Sequence, residues 1–323
     1  MSQFSQLFPP CPKFTNNDIP DQSGKVFIVT GGASGVGFEV SRILYEKNAS
    51  VYIAARSDAK IQKAIGEIKQ LHPSSQGKLD ALIIDLANLD TVKPAAENFL
   101  SRKQRLDVLF NNAGVMGTNP DQKSAQGYEL QIGTNVLGSF LFTRLLEPIL
   151  LDTASQIPPG GVRVVWVGSM LDIGTPKGGV VWDSQTDAPS VHSTMMANYM
   201  QSKAGITFLA HEYASRLGSK GVVSTSLHPG MMKTELQRNM PAPVSAMMGV
   251  VFKGPVYGAF TELYAGFSSE IQSEQNGCYI IPWGRLGSVP EHMASSMLSK
   301  EQGGTGLSTK FWDWCEMTTA SYH

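Results

Sequence analysis

The feature that most constrains this chain is a short apolar run that leads directly into a glycine-rich turn. Residues 26–30 have the composition of a buried strand, and residues 36–48 have that of a helix. The glycines at positions 31, 35 and 37 of the turn permit positive φ angles and close packing of the helix on the strand. A strand, a tight turn and a helix in this order predict the start of a βαβ unit.

The same alternation continues along most of the chain. After the first strand, further strands are predicted at 51–55, 79–84, 108–111, 162–167, 222–227 and 278–281. Helices are predicted at 36–48, 58–71, 89–103 and 129–150, and in a segment that ends near Leu217. The fold class is therefore α/β: a single-domain, Rossmann-type, doubly wound parallel sheet of about seven strands with helices on both faces.

Composition excludes several classes of function. The net charge of -1 provides no positive field for a nucleic acid. The three cysteines are far apart and the histidines form no His-x-x-x-His pair, so we expect neither disulfides nor a metal site. Without a signal sequence or a long apolar stretch, we expect a soluble, cytoplasmic protein with no membrane partner.

The glycine-rich turn predicts a binding site for a dinucleotide. Its backbone can approach a pyrophosphate closely, and the N-terminus of the following helix offers free N–H groups to the anion. No Gly-Lys-Ser/Thr sequence ends the turn, so a nucleoside-triphosphate P-loop is a poor match.

The end of the second predicted strand favours NADP(H) over NAD(H). An acidic residue there usually binds the ribose 2′-hydroxyl of NAD, whereas an arginine suits the 2′-phosphate of NADP. Here Arg56 follows the strand, and Asp58, two positions later, is predicted as a helix N-cap.

Tyr199 and Lys203 are candidates for proton transfer. They are four positions apart, which places them on one face of a helix. An ammonium group beside a phenol lowers the phenol pKa, here by roughly two units, so that Tyr199 could exchange a proton near neutral pH.

The glycine turn and the Tyr199–Lys203 pair are two of six motifs that resemble those of the short-chain dehydrogenase/reductase family. The resemblance covers about residues 24–283. The stretches 51–56, 111–116 and 130–146 are similar to its retinol-dehydrogenase-like branch and the soluble fungal relatives of that branch. The motifs are Thr30-Gly31-x-x-x-Gly35-x-Gly37, Asn111-Asn112-Ala113-Gly114, Asn135 within 134–138, Ser169, Tyr199-x-x-x-Lys203 and Pro229-Gly230.

The resemblance implies four catalytic residues. Ser169 would hydrogen-bond the substrate oxygen, and Tyr199 would be the general acid/base. Lys203 would hold the nicotinamide ribose and lower the Tyr199 pKa, and Asn135 would keep a helix kinked around a water of the proton relay.

It also implies a set of cofactor-binding residues. Asp85 would contact the adenine, Asn112 would support the adenine ribose and the sheet, and Thr234 would fix the nicotinamide carboxamide. The set comprises Thr30, Gly31, Ser34, Gly35, Val36, Gly37, Arg56, Asp85, Leu86, Asn112, Ala113, Gly114, Tyr199, Lys203, Pro229, Gly230 and Thr234.

Segments outside the motifs separate this chain from common family members. Ser169 and Tyr199 are 30 positions apart, more than is usual, which leaves both a homodimer and a monomer open. Residues 231–253 are rich in Met and form either a substrate lid or ordinary core. Residues 1–23 and 286–323 are terminal extensions, and the latter carries an aromatic cluster.

These observations predict an NADP(H)-dependent oxidoreductase that interconverts a carbonyl and an alcohol. We expect a reductase of a small hydrophobic molecule, in secondary metabolism. The alternative is a non-catalytic NADP(H)-binding sensor on the same fold, although a sensor needs no proton relay. A serine hydrolase is excluded because no Gly-x-Ser-x-Gly sequence surrounds Ser34.

Overall fold

The computed structural model describes residues 4–232 and 252–323. Within these ranges the strands are β1 Val26–Thr30, β2 Ser50–Ala55, β3 Lys78–Ile83, β4 Val108–Asn111, β5 Val162–Val167, β6 Trp182–Asp183, β7 Ala188–Pro189, β8 Val222–Leu227, β9 Tyr279–Ile281 and β10 Arg285–Gly287.

Eight of these described strands form one sheet in the order β3-β2-β1-β4-β5-β8-β9-β10. The first seven are parallel, and β10 runs antiparallel to β9. The strand order reverses between β1 and β4. This reversal opens a crevice at the carboxyl ends of the strands, where doubly wound sheets bind their ligands.

Helices cover both faces of the sheet. In the described ranges they are α1 Phe4–Leu7, α2 Gly35–Glu46, α3 Asp58–Leu71, α4 Val92–Leu100, α5 Ser139–Ser155, α6 Met195–Leu217, α7 Pro255–Phe267, α8 Glu291–Met297 and α9 Leu307–Thr319. The apolar residues form two cores. One lies between the sheet and α4, α5, α6 and α9, and the other between the sheet and α2, α3 and α7.

The predicted α/β fold is confirmed, with differences in detail. All seven predicted strands are present in the large sheet, and β10 is an addition that the sequence did not indicate, as are β6 and β7, which form a separate two-stranded sheet. The predicted helix 129–150 contains a π-helical turn at Ile132–Gly138 and continues as α5 to Ser155. The predicted helix 89–103 begins as a 3₁₀ turn, Leu89–Thr91, before α4.

The side-chain cap of α3 also differs from the prediction. Ser57, and not Asp58, is the N-cap, because the Ser57 hydroxyl accepts a hydrogen bond from the Lys60 backbone N–H. Asp58 instead lies in the first turn, where a carboxylate complements the positive end of the helix dipole.

Within the two described ranges, no helix combines the length and apolarity that crossing a membrane requires.

Candidate active site

A cavity of about 600 Å³ lies at the carboxyl ends of the central strands. Its walls come from the turns that follow β1, β2, β3, β4, β5 and β8, and from α6. This volume is within the range of small-molecule and cofactor sites. Almost every predicted site residue lines it, although these residues are far apart in the sequence.

The glycine turn forms the floor at the α2 end of the cavity. Gly31 and Gly35 adopt φ angles of 68° and 58°. A Cβ at Gly37 would lie 2.6 Å from the Gly31 carbonyl oxygen, so a glycine is required for α2 to approach the turn. The Ser34 side chain makes no capping hydrogen bond to α2, which leaves the first-turn amides to an anion in the cavity.

Thr30 and Asn112 join the ends of β1 and β4 beneath the cavity. The Asn112 side-chain amide donates to the Thr30 carbonyl oxygen at 2.7 Å, and the Ala113 N–H donates to the Thr30 hydroxyl at 3.0 Å. The hydroxyl in turn donates to the Phe110 carbonyl oxygen. These bonds fix the two turns relative to each other, so both residues shape the site as well as line it.

Arg56 lies at the end of the cavity next to β2 and is exposed. Lys60, one helical turn later in α3, lines the same end and was not singled out from the sequence. Two cations therefore border the place where the sequence predicted a ribose phosphate. Asp85 and Leu86, after β3, line this side as well, and the Asp85 carboxylate accepts from the Ala87 N–H.

At the opposite end, Ser169 and Tyr199 meet. Ser169 follows β5 and caps the 3₁₀ turn Met170–Gly174, where its hydroxyl accepts a hydrogen bond from the Leu171 N–H, and it lies close enough to Tyr199 to lower the pKa of that phenol. Tyr199 is 5% exposed and lines the cavity from the first half of α6. A hydroxyl and a phenol that meet at a cavity wall can both contact one substrate oxygen.

Lys203 is one helical turn after Tyr199 and points into the same region. Its Nζ lies 5.9 Å from the centre of the Tyr199 ring and donates a hydrogen bond of 2.7 Å to the Val167 carbonyl oxygen. Burial lowers the pKa of Lys203 to about 8. The side chain therefore remains largely protonated at neutral pH while lining the cavity.

Asn135 does not line the cavity but holds one of its walls. It lies in the π-helical turn, where its side chain accepts from the Val115 N–H at 2.8 Å and donates to the Val115 carbonyl oxygen and the Ser202 hydroxyl. The irregular helix that the resemblance implied is present. Asn135 thus ties the loop after β4 to α6.

One electrostatic expectation was wrong for the protein alone. The Tyr199 pKa is not lowered by Lys203; burial raises it to about 12, although the nearby Ser169 hydroxyl opposes this rise. The Lys203 ammonium is directed at the Val167 carbonyl oxygen, and a buried carboxyl group, Asp172, adds to the rise.

The remaining predicted residues follow β8 or lie outside the described ranges. Pro229 and Gly230 line the cavity, and Gly230 packs against Trp283, which leaves no room there for a Cβ. Thr234, predicted to contact the carboxamide, lies outside the described residues, as does the predicted lid 231–253 except at its two ends.

Two buried acids near the catalytic residues were missed by the sequence reasoning. Asp172, three positions after Ser169, and Glu262 in α7 are 1% and 0% exposed. Neither belongs to a recognisable motif, because an isolated acid in an otherwise apolar or loop segment gives no signal. No group of three or more histidine, cysteine or acidic side chains in the described part of the chain could hold a metal ion.

Comparison with known proteins places the chain in a family. The model of the short chain dehydrogenase family matches residues 25–244, so the chain belongs to this family. A protein from Phomopsis amygdali named short-chain dehydrogenase/reductase is 44% identical over 324 residues, which cover 99% of this chain and 96% of that protein.

Solved structures share the fold. A Pseudomonas aeruginosa RhlG/NADP active-site complex aligns with a TM-score of 0.63 and 22% identity, covering 80% of this chain and 95% of that one. A 3-ketoacyl-(acyl-carrier-protein) reductase from Brucella melitensis complexed with NADH aligns with a TM-score of 0.61 and 23% identity, covering 81% and 98%. The chain is an oxidoreductase of this family that uses a nicotinamide cofactor on carbonyl or alcohol groups.

Proposed function

We propose that this protein is an NADP(H)-dependent reductase of a hydrophobic ketone or aldehyde in secondary metabolism. The observation that carries the proposal is that Ser169, Tyr199 and Lys203 line the same cavity as the glycine turn and Arg56. A dinucleotide binds between the two ends in this proposal, and a carbonyl compound binds beside Tyr199.

The residues present fit such a cofactor. The uncapped first turn of α2 suits the pyrophosphate, and Arg56 with Lys60 suits a ribose 2′-phosphate. We assign the nicotinamide ribose to Lys203 and the adenine side to Asp85 and Leu86. When bound, the cofactor supplies the hydride.

The side chains of this protein supply the proton and the orientation. The Ser169 hydroxyl donates a hydrogen bond to the carbonyl oxygen, which fixes that oxygen beside the phenol. Tyr199 Oη donates its proton to the same oxygen as the alcohol forms. Lys203, held by the Val167 carbonyl oxygen one helical turn after Tyr199, would position the nicotinamide ribose beside the phenol.

The lining of the cavity supports an apolar substrate. Four methionines and two other large apolar residues are among the residues that line it: Met116, Met170, Leu171, Met231, Met232 and Phe252. Methionine adapts to irregular apolar shapes, so the site fits a hydrophobic carbonyl compound better than a charged one.

Replacement of Tyr199 tests the catalytic role. Tyr199→Phe keeps the aromatic ring and removes the proton, so we expect a loss of about 10²–10⁴ in kcat for acetophenone or another aryl ketone. NADPH binding, measured by fluorescence, should stay close to wild type. Normal turnover by the variant would contradict the proposal, and wild-type protein that binds NADPH but reduces no carbonyl in a broad panel would favour the sensor.

Replacement of Arg56 tests the choice of cofactor. Arg56→Ala removes a cation from the proposed 2′-phosphate position, so NADPH binding should weaken about 10-fold or more while NADH binding changes little. Titration calorimetry with each cofactor provides the measurement. Lys63→Ala, on the same helix but absent from the cavity lining, is the matched control. Equal losses for the two cofactors would refute the assignment.

A further inference from the structure

A buried glutamine, Gln131, bridges two segments that border the cavity. It directly precedes the π-helical turn and is 0% exposed. Its Oε1 accepts a hydrogen bond from the Gly117 N–H at 3.2 Å, and its Nε2 donates to the Met195 carbonyl oxygen at 2.8 Å. The same nitrogen donates to the Glu129 carboxylate at 3.4 Å. Gln131 therefore ties the loop after β4 to the first residue of α6.

The Met195 carbonyl oxygen is also bonded to the backbone of Tyr199. Each N–H of an α-helix donates to the carbonyl oxygen four positions earlier, and α6 begins at Met195, so the Tyr199 N–H donates to this oxygen. Gln131 thus holds the acceptor atom of the Tyr199 N–H. The two residues are coupled through one shared atom, although they are far apart in the sequence.

Asn135 forms a second bridge between the same two segments. Its side-chain amide bonds both backbone groups of Val115 and donates to the Ser202 hydroxyl. That hydroxyl donates to the Tyr199 carbonyl oxygen at 2.8 Å. One buried amide therefore reaches the acceptor of the Tyr199 N–H, and the other reaches its carbonyl group. If Gln131 is replaced, the second bridge remains.

The loop 114–117 lies along α6 between these contacts. At one end, a Cβ at Gly114 would lie 3.3 Å from Lys203 Nζ. The other end is bonded through Gln131 to the first turn of the helix. Met116, which lines the cavity and is 8% exposed, belongs to the half of the loop that Gln131 holds. The separation of this half from α6 therefore depends on the glutamine.

We propose that Gln131 is a positioning residue that fixes Tyr199 relative to the Met116 wall of the cavity. The inference rests on the proposed function, because it concerns the alignment of the phenol with a carbonyl compound. Gln131 is not among the residues that line the cavity, so it acts through the helix and the loop that it joins. A shift of about 1 Å at a catalytic group can lower the rate about 10²-fold, so such a bridge has a measurable effect.

Replacement by methionine tests this role. Gln131→Met keeps nearly the same volume but loses both hydrogen bonds to the backbone. With acetophenone and NADPH, we expect kcat to fall about 10-fold or more. The dissociation constant of NADPH, measured by fluorescence, should change by less than about 2-fold, because the glycine turn is unaffected. An unchanged kcat in folded Gln131→Met would overturn the proposal.

Gln126 provides a matched control. Its side chain also bridges segments: Oε1 accepts from the Leu89 N–H, and Nε2 donates to Asn88 and Asp90, each at 3.1 Å. None of these four residues lines the cavity. Gln126→Met should therefore lower the free energy of unfolding but leave kcat unchanged. If it lowered kcat as much as Gln131→Met, the effect would be a general loss of structure and the proposal would be wrong.

A second variant keeps the proposal testable if Gln131→Met does not fold. Gln131→Glu retains an acceptor for the Gly117 N–H, but its carboxyl group can donate to the Met195 oxygen only when protonated. Expressed as a fraction of the wild-type value at the same pH, kcat should therefore rise as the pH falls from about 8 to about 5.5. A fraction that stays constant over this range would overturn the proposal.

Hydrogen exchange provides a readout that requires no turnover. In protein saturated with NADPH, the Tyr199 amide is followed by ¹⁵N NMR. Its exchange should be several-fold faster in Gln131→Met than in wild type, because the Met195 oxygen has lost the donor that holds it. Equal exchange rates would contradict the inference. Active Tyr199→Phe protein would contradict the proposed function separately, since it leaves this exchange measurement unaffected.

Discussion

At the scale of single residues, Glu262 is a second buried acid near the catalytic groups. It lies in α7, on the face of the sheet opposite α6, and is fully buried. Neither carboxyl oxygen has a hydrogen-bond partner among the described residues. Burial raises its pKa to about 8, and the charge of Lys203 opposes this rise. The Glu262 side chain is therefore protonated and uncharged at neutral pH.

Because Glu262 is buried, we expect it to make the stability of the folded protein depend on pH. The folded protein keeps the proton up to pH 8, whereas a glutamate in the unfolded chain, with a pKa of 4.5, releases it earlier. Because the folded state binds more protons in this window, its free energy of unfolding falls as pH rises from about 4.5 to 8. Glu262→Gln cannot ionise, so it should gain a few kcal/mol relative to wild type across the window.

Urea unfolding of wild type and Glu262→Gln at a series of pH values measures this difference. Asp172 and His228 also make the free energy of unfolding depend on pH, but their contributions cancel because both proteins contain them. Glu274→Gln, an exposed substitution, serves as the control. Parallel stability curves for Glu262→Gln and wild type would contradict the prediction.

The sequence predicted the residues that carry a motif and missed those that act only through burial. Tyr199 and Lys203 have a helical spacing, and the glycines of the turn have a position between strand and helix. Asp172 and Glu262 have no such spacing. Their properties come from neighbours that are remote in the chain, such as Tyr279 and Lys203, and depend on the completed packing.

At the scale of secondary-structure elements, β5 and α7 are joined by Arg163. Its guanidinium donates to the carbonyl oxygens of Ala265 in the last turn of α7, of Ser268 and Ile271 just after α7, and of Gly160 before β5. Burial lowers its pKa to about 10, so the group remains charged at neutral pH. A cation at this place satisfies carbonyl groups that a helix C-terminus otherwise leaves without partners.

Arg163→Met should therefore destabilise the fold by about 2–4 kcal/mol, because three carbonyl groups lose a charged donor in a dry environment. Chemical denaturation gives the free energy of unfolding. Lys63→Met, whose ion pair with Glu67 is largely exposed, should cost less than about 1 kcal/mol. A similar small loss for Arg163→Met would show that the carbonyl groups find other partners.

Periodicity identified the elements but not their irregularities. The β-branched runs predicted seven strands to within one residue at each end. The short strand β10 has the sequence Arg-Leu-Gly, which shows no strand pattern. It is a strand because it pairs antiparallel with β9. The π-helical turn keeps an apolar pattern close to that of an α-helix, so only contacts such as those of Asn135 reveal it.

At the scale of the whole molecule, α9 closes one face of the fold. Trp312 packs against Phe140 of α5 and Tyr213 of α6 with ring centroids 5.0 and 4.7 Å apart. The guanidinium of Arg216 lies 4.5 Å from the Trp312 ring centre. The long loop before α6 joins this assembly, because Lys310 of α9 forms an ion pair with Asp187. The C-terminal extension is thus an integral part of the core.

Trp312→Ala should remove a large buried ring and cost about 3–5 kcal/mol of unfolding free energy. Met317→Ala, on the same helix but 68% exposed, should have little effect. Thermal unfolding of the two variants beside wild type provides the comparison. Equal melting temperatures for Trp312→Ala and wild type would mean that α9 is not needed for the stability of the core.

The oligomeric state, for which the sequence left both a homodimer and a monomer open, stays a prediction.

The position of α9 also has an optical consequence. The chain has five tryptophans, and two of them, Trp312 and Trp314, lie in this helix and are 4% and 7% exposed. If the helix detached, both indoles would enter water, and their emission would shift to longer wavelength while Trp166 inside β5 remained in an apolar environment. Intrinsic fluorescence can therefore report the release of the C-terminal helix separately from the unfolding of the sheet.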